Sequence, residues 1–541
     1  MPGSFHPLLP DDLPEPLRIH VEEVDRRQQA FDALWPDVLS MRRRYFVEGT
    51  DKAKAEMEAA IGLAEAARQN LQAAIAAMFA EAGVDPDELT EADAEPVGDP
   101  FPAISRMSVI EGAPPAQAFV EDHLPEAIEL IERHAPPDWL EREPADLFRL
   151  PTADDGEPIS IVKGVRLESE RPRGHRLRQT IRLARDYLAN DPRYDHFAGA
   201  LAVTQLAQLG VRAGALRTVG GWEKRVGALF AGSGADTDAT MLELLVAAAC
   251  AAKGREMSFV EATNAKSPDL RCHDAFGMVV ECKRSSALSD YEVGEEARMR
   301  ELFRHLAIGA VARGLFGLFE VELTVEADSL DLQEVASSCL RQRLAARPGR
   351  ALEYPWGSVA FQPLPSRVDL DEPTKAYSPT MLHQVFGWDM EWPEWDGLIC
   401  KIAAAPAAVL GQVRSPLGLS WRVVADEAII KRSRAPIGLF SKALTQIPRG
   451  EFGLVYVAYT EGARPDIADN RTKALMDRIQ DWEHDAGIRV PAAFLVRQYP
   501  LPTRHGNPDV IESTIKMLSE QGGGGDWIFR EYPAAVYTSR E

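Results

Sequence analysis

The chemistry in this chain centres on Asp269, Glu281 and Lys283. They fall within residues 258–284, SFVEATNAKSPDLRCHDAFGMVVECKR. There SFVEAT, DLRCHDA and MVVECK read as three short strands, separated by a turn-like stretch at 264–268 and a turn at Gly277. Successive side chains of a strand point to opposite faces, so Met278, Val280 and Cys282 face one side and Val279, Glu281 and Lys283 the other. A charged pair on an otherwise apolar strand needs a partner or an ion. Asp269, at the start of the preceding strand, supplies a second carboxylate at the same end of the hairpin-like unit. Two carboxylates beside a lysine are what metal-assisted phosphodiester hydrolysis requires. Asp269 and Glu281 offer hard oxygen ligands to Mg²⁺ (or Mn²⁺), and the Cys282 backbone carbonyl offers a third. Such an ion lowers the pKa of a bound water. Lys283 is placed to orient that water and to stabilise charge developing on the phosphate.

The order Ser267, Pro268, Asp269, then a strand and turn, then Glu281, Cys282, Lys283 resembles the PD-(D/E)XK nuclease superfamily. That superfamily also tends to carry an acidic residue on a helix before the first strand, and Glu243 is the single charge in the apolar helical segment MLELLVAAACAA. The resemblance covers residues 231–325. It implies a restriction-endonuclease-like mixed β-sheet flanked by helices, dependence on a divalent metal, a nucleic-acid substrate, and catalytic roles for Asp269, Glu281, Lys283 and Glu243. It names no subfamily; the Q-x-x-x-Y element of the exonuclease-like branch is not evident after Lys283, where SSALSDYEVGEEARMRELF follows.

Each residue has a plainer reading. Glu243 could close a capping box with Thr240. Asp269 could be a turn aspartate, and Glu281 with Lys283 a surface pair on an edge strand. Glu261 is a rival metal ligand, while His273 and Asp274 fit a local polar role. No H-E-x-x-H, G-x-S-x-G or P-loop is present; the nearest glycine–lysine cluster, GGWEKRVG at 220–227, has the wrong spacing.

The 541 residues carry 60 Lys+Arg against 83 Asp+Glu, a formal net charge of −23, so contact with nucleic acid requires a local basic surface. The densest basic run is 163–185, and Arg173, Arg176, Arg178 and Arg182 are its candidates for phosphate contact, against a plain solvated helix face. The five cysteines are scattered, with no C-x-x-C, which excludes a zinc ribbon or disulfide framework. With no signal-peptide pattern and no long apolar stretch, the expectation is a cytoplasmic protein without membrane contact.

The elements that must position these residues read as follows. The fold class is α/β (α+β mixed), with an N-terminal helical region and a C-terminal α/β region. Residues 1–83 read as a helical hairpin, a layer packed on the rest of the protein because no strict heptad is sustained, with an arm for a protein partner or a second copy as the alternative. Residues 84–103 form an acidic linker, and 104–225 a mostly helical region with the basic run. The nuclease core is placed at 226–330, in the order helix, three strands, helix, strand. The C-terminal region 331–541 carries strand candidates GLVYVAYT and AAFLVRQYPL and helical patterns at 438–446, 470–486 and 508–521. It either completes the core across a long insertion or holds a degenerate second unit. The functional expectation is a Mg²⁺-dependent endonuclease acting on DNA rather than RNA, with restriction or antiviral defence as the setting the resemblance suggests. The alternative is a catalytically silent nucleic-acid-binding or scaffold subunit.

Overall fold

The computed structural model describes residues 116–475 with breaks, two later strands, and scattered helical positions between 23 and 77. In that last group the Arg27 guanidinium donates to the Asn70 carbonyl at 3.2 Å. The linker at 84–103, Arg173 and Asp274 lie outside the described residues.

The described chain is mixed α/β with two mixed sheets. Helix α1 (Ala116–Glu132), strands β1 (Ile159–Val162) and β2 (Val165–Leu167), then α2 (Arg176–Leu188), α3 (His196–Val211) and the short α4 (Trp222–Ala228) lead to α5 (Gly234–Ala252). Next come β3 (Met257–Phe259), β4 (Leu270–Cys272), β5 (Val279–Ser285), α6 (Asp290–Arg313) and β6 (Gly317–Leu323). The chain continues through α7 (Leu332–Cys339), β7 (Leu352–Tyr354), β8 (Gly357–Pro363), β9 (Arg367–Lys375), α8 (Pro379–Phe386), β10 (Gly397–Ala403) and β11 (Val409–Val423). It ends with α9 (Asp426–Ser433), α10 (Ala435–Leu444), β12 (Gly453–Thr460), β13 (Ala492–Pro500) and β14 (Val510–Leu518).

The smaller sheet runs β14-β13-β12-β5-β4-β3. Strands β3, β4 and β5 are antiparallel neighbours, whereas β5, β12 and β13 run parallel. The order of elements across 231–325 is the expected one, but its last strand is not in this sheet. β6 pairs parallel with β11 and antiparallel with β8, in the larger sheet of β2-β1-β10-β11-β6-β8-β7. The neighbour of β5 is instead β12, in register from Gly453 opposite Val279 to Tyr459 opposite Ser285. A boundary at 330 therefore does not follow the sheets, and α10 with β12 extends the sheet of β3–β5. Residues 510–518, expected as helix, form a strand. Val510, Ile511, Thr514 and Ile515 are β-branched, and antiparallel pairing with β13 overrides the helical spacing of VIESTIKML.

Apolar alternation builds the layers. Val280, Cys282, Leu454 and Tyr456 face the core shared with α5, which contributes Leu242, Leu245 and Val246. Val279, Val455 and Val457 face the opposite way, onto Phe440, Ala443 and Leu444 of α10.

Where the chain returns from the larger sheet, a buried ionic network joins its ends. Arg432 of α9 contacts Glu295 of α6, and its Nη1 lies 2.6 Å from Asp396 Oδ1. The Arg464 Nη1 lies 2.8 Å from Asp396 Oδ2 and donates to the Val423 carbonyl at 2.9 Å. Trp421 Nε1 donates to Glu295 at 2.9 Å, and Arg471 Nη2 to the Arg432 carbonyl at 2.8 Å. Removing one member of a buried pair leaves the other charge uncompensated, a loss of roughly 3–5 kcal/mol. Arg432→Met is thus expected to lower the urea midpoint by that equivalent. A midpoint equal to the parent's would show that the network does not tie the two sheets.

Candidate active site

The site grows from the register of the β4–β5 hairpin. Leu270 lies opposite Val280, so the next position outward sets Asp269 across from Glu281, and the Asp269 amide donates to the Val280 carbonyl at 3.1 Å. Opposed residues of an antiparallel pair share a face. Asp269 Oδ2 accepts a hydrogen bond from the Cys282 amide at 2.8 Å. Lys283 Nζ reaches back along its strand to the Glu281 carboxylate and also donates to the Cys282 carbonyl at 3.3 Å. Glu281 shares its strand face with Val279 beneath α10 and is 0% exposed, whereas the Lys283 side chain is 22% exposed.

Glu243 joins from α5. That helix begins at Gly234, so Thr240 and Glu243 lie inside it and the capping-box reading falls away. Glu243 is buried and pairs with Arg225 of α4. The structure therefore brings Asp269, Glu281, Lys283 and Glu243 into one cluster and adds Arg225, which sequence reasoning did not select. Its signal was the GGWEKRVG segment, set aside because its glycine spacing does not make a P-loop.

The electrostatics follow from burial and crowding. Burial, and after it the charge of Asp269, pushes the Glu281 carboxyl up to about 8. The same two causes push Glu243 up to about 7, against the pull of Arg225. Burial also raises Asp269, although Lys283 and the Cys282 amide oppose it. Burial works to lower the Lys283 ammonium, but Asp269 and Glu281 together outweigh it, and it ends above its ordinary value. Lys283 is therefore a cation at neutral pH. The Cys282 thiol, fully buried, is pushed well above its usual value, so only its carbonyl suits a hard cation.

Among the described residues no group of three or more His, Cys, Asp or Glu side chains stands arranged to hold a metal ion. The expected donors are two side chains and one carbonyl: Asp269, Glu281 and the Cys282 oxygen. They fit a divalent cation on two observations. Glu281 Oε2 is buried without a hydrogen-bond partner. Three crowded carboxyls, each raised by burial, also face only two cations. Two other candidates lie elsewhere. Glu261 is exposed and binds Lys224 at 2.7 Å, and His273 Nε2 meets Ser258 Oγ at 2.6 Å.

The arginines of the basic run on α2 have partners within the protein. Arg176 lies 3.4 Å from Asp238, Arg178 stacks 4.7 Å from the Trp139 ring, and Arg182 lies 3.6 Å from Asp186. The next basic residue, Arg185, lies 2.6 Å from Glu132. Arg176 and Arg185 remain about half exposed beside these partners, and α2 buries Leu177, Ile181 and Leu183.

Among the described residues no helix is long and apolar enough to cross a membrane. Compared with family models, curated proteins and solved structures, the chain matches none.

The raised carboxyls give a pH signature. Glu281 moves from an ordinary 4.5 to about 8 on folding, so the folded chain keeps a proton that the unfolded chain releases. Its stabilising share is complete below the unfolded value and lost as pH rises through the folded one. The melting temperature of metal-free protein is expected to fall between about pH 5 and 8, and less steeply in Glu281→Gln. Identical profiles for the two proteins would contradict the buried, crowded setting of Glu281.

Proposed function

We propose that this chain is a metal-dependent nuclease that hydrolyses phosphodiester bonds, a DNA endonuclease with a restriction-endonuclease-like core. The observation that carries this reading is the face shared by Asp269 and Glu281 across the hairpin, with Lys283 on the same strand and Glu243 closing the cluster from α5. A mixed sheet flanked by helices, with an acid on the helix before its first strand, is what the PD-(D/E)XK resemblance implies, and the sheet of β3–β5 and β12 under α5 is consistent with it.

Asp269, Glu281 and the Cys282 carbonyl would hold Mg²⁺ or Mn²⁺, which when bound supplies an acidified water and neutralises phosphate charge. The remaining work belongs to the chain. Lys283, protonated and partly open to solvent, donates hydrogen bonds to the attacking water and to the phosphate oxygens as charge builds on them. Its contact with Glu281 fixes its direction before substrate arrives. The apolar layer of Val279, Val455 and Val457 beneath α10 excludes water from one side of Glu281, which strengthens every charge interaction there. The setting is nucleic-acid restriction or antiviral defence, a proposal that rests on the resemblance alone.

The decisive comparison is Lys283→Ala beside Asp269→Ala. Lys283→Ala should lose cleavage by on the order of 10²–10³ and keep calorimetric binding of Mg²⁺. Asp269→Ala should lose both, because a hard cation needs its anionic oxygens. Parent protein is assayed on plasmid, linear duplex, single-stranded DNA and RNA with Mg²⁺, Mn²⁺ or EDTA. Should Lys283→Ala cleave at the parent rate, the site lies elsewhere. If the parent binds nucleic acid but cleaves none of these, the silent-subunit reading replaces this one.

A further inference from the structure

We infer that Arg225 is the phosphate-binding residue of this site, holding a substrate phosphodiester oxygen with the guanidinium N–H groups that Glu243 does not occupy. The inference rests on the nuclease reading and deepens it.

The argument begins with how Arg225 is delivered. The Gly220 amide donates to the Met257 carbonyl at 2.9 Å, and the Phe259 amide to the Gly220 carbonyl at 2.8 Å, so the turn before α4 is bonded to edge strand β3. Neither glycine is readily replaced. Gly221 has φ +80°, and a Cβ on Gly220 would meet the Ser258 Cβ at 2.9 Å. Helix α4 therefore starts at a fixed point beside the sheet. Trp222 packs edge-on to His134 with centroids 5.0 Å apart, and Val226 is buried. Arg225, between them, extends past the Phe259 ring, 6.0 Å from its centroid, to Glu243.

Next comes charge. Glu243, Asp269 and Glu281 bring three carboxyls to the cluster, against the two cations Lys283 and Arg225. A phosphodiester adds another negative charge. Two of the three Lys283 ammonium donors face Glu281 and the Cys282 carbonyl, so Lys283 has one left for the reacting group and cannot by itself hold the substrate phosphate as well. Arg225 is 33% exposed and, as a guanidinium, carries five donors in a planar fork that suits phosphate oxygens. A single fork can hold Glu243 on one edge and a phosphate oxygen on another. Glu243 then has a defined part: it aims the guanidinium.

The test uses full-length protein in a Lys283→Ala background, where a fluorescent DNA oligonucleotide stays intact with Mg²⁺ present. Affinity is measured across salt concentrations, and melting temperature is read without DNA. Arg225→Gln should weaken binding about tenfold and reduce the salt slope by about one, as loss of a single phosphate contact does. Arg225→Lys keeps the charge but not the fork, so its slope should match the background protein while its affinity falls between the two. Parental affinity and slope in folded Arg225→Gln would overturn the inference and leave Arg225 a counterion to Glu243. If Arg225→Gln does not fold, Arg225→Lys decides: reduced affinity at parental melting temperature supports the contact, and parental affinity overturns it. Failure of the background protein itself to bind the oligonucleotide is a separate result, which removes the nuclease reading and this inference with it.

Discussion

The parallel ladder between β5 and β12 is the constraint on which the rest of the structure depends. It joins Val279–Ser285 to the strand that begins at Gly453, across strands β6 to β11 of the larger sheet. Closing so long a loop costs chain entropy, though the cost rises only slowly with loop length. The compensation is visible on both faces of the ladder. Val280, Cys282, Leu454 and Tyr456 complete the core over α5, and Val279, Val455 and Val457 complete the one under α10. Without β12, β5 would be an edge strand and Glu281 would stand at a wet rim. With β12 in place, Glu281 is sealed, and its raised carboxyl follows from the strand order.

Strands β6 to β11 of the larger sheet are accordingly an insertion whose two ends must be held together, while β1 and β2 join that sheet from earlier in the chain. Its internal parallel pair, β6 with β11, keeps entry and exit adjacent over Gly317–Leu323. The Arg432 and Arg464 contacts to Glu295 and Asp396 then fasten α6, β10 and the route into α10. Guanidinium suits this junction because its planar fork can serve two carboxylates and a carbonyl at once.

The local parts of this arrangement are legible in the sequence. MVVECK shows its alternation, and Glu243 stands out as one charge in an apolar helix. What the sequence leaves dark is long-range. Nothing in GLVYVAYT says that its neighbour is β5 rather than β6, since both are seven-residue strands with enough apolar positions to pair beside it. The spacing of VIESTIKML satisfies a helix and a strand alike, and only pairing with β13 decides between them. The arginine run is plain in composition, but Asp238, Glu132 and Trp139, which engage much of it, come from distant segments. Arg225 is hidden for the opposite reason: it is one basic residue on a short helix, and its worth lies wholly in where the glycine turn aims it.

The two buried ionic clusters also differ in how their acids are neutralised. A perturbed carboxyl does not by itself discriminate, because burial pushes Asp396 in the junction up to about 7, as high as Glu243 in the site. Contact with cations does discriminate. In the junction Glu295, Asp396 and Asp466 each touch a guanidinium, and the arginines concerned are almost wholly buried. In the site Glu243 and Glu281 each have one cation partner, and those partners remain partly open to solvent. Among the described contacts Asp269 has no direct cation; its hydrogen bonds are to the Cys282 amide and to the Glu281 carboxyl. A network closed by fixed guanidiniums gains nothing from a further ligand. A cluster with more carboxyls than cations, its cations at the mouth and its raised acids holding protons, remains incomplete, because a bound cation can displace those protons. That incompleteness, more than the identity of the acids, is the ground on which the proposed function places its site at Asp269 and Glu281.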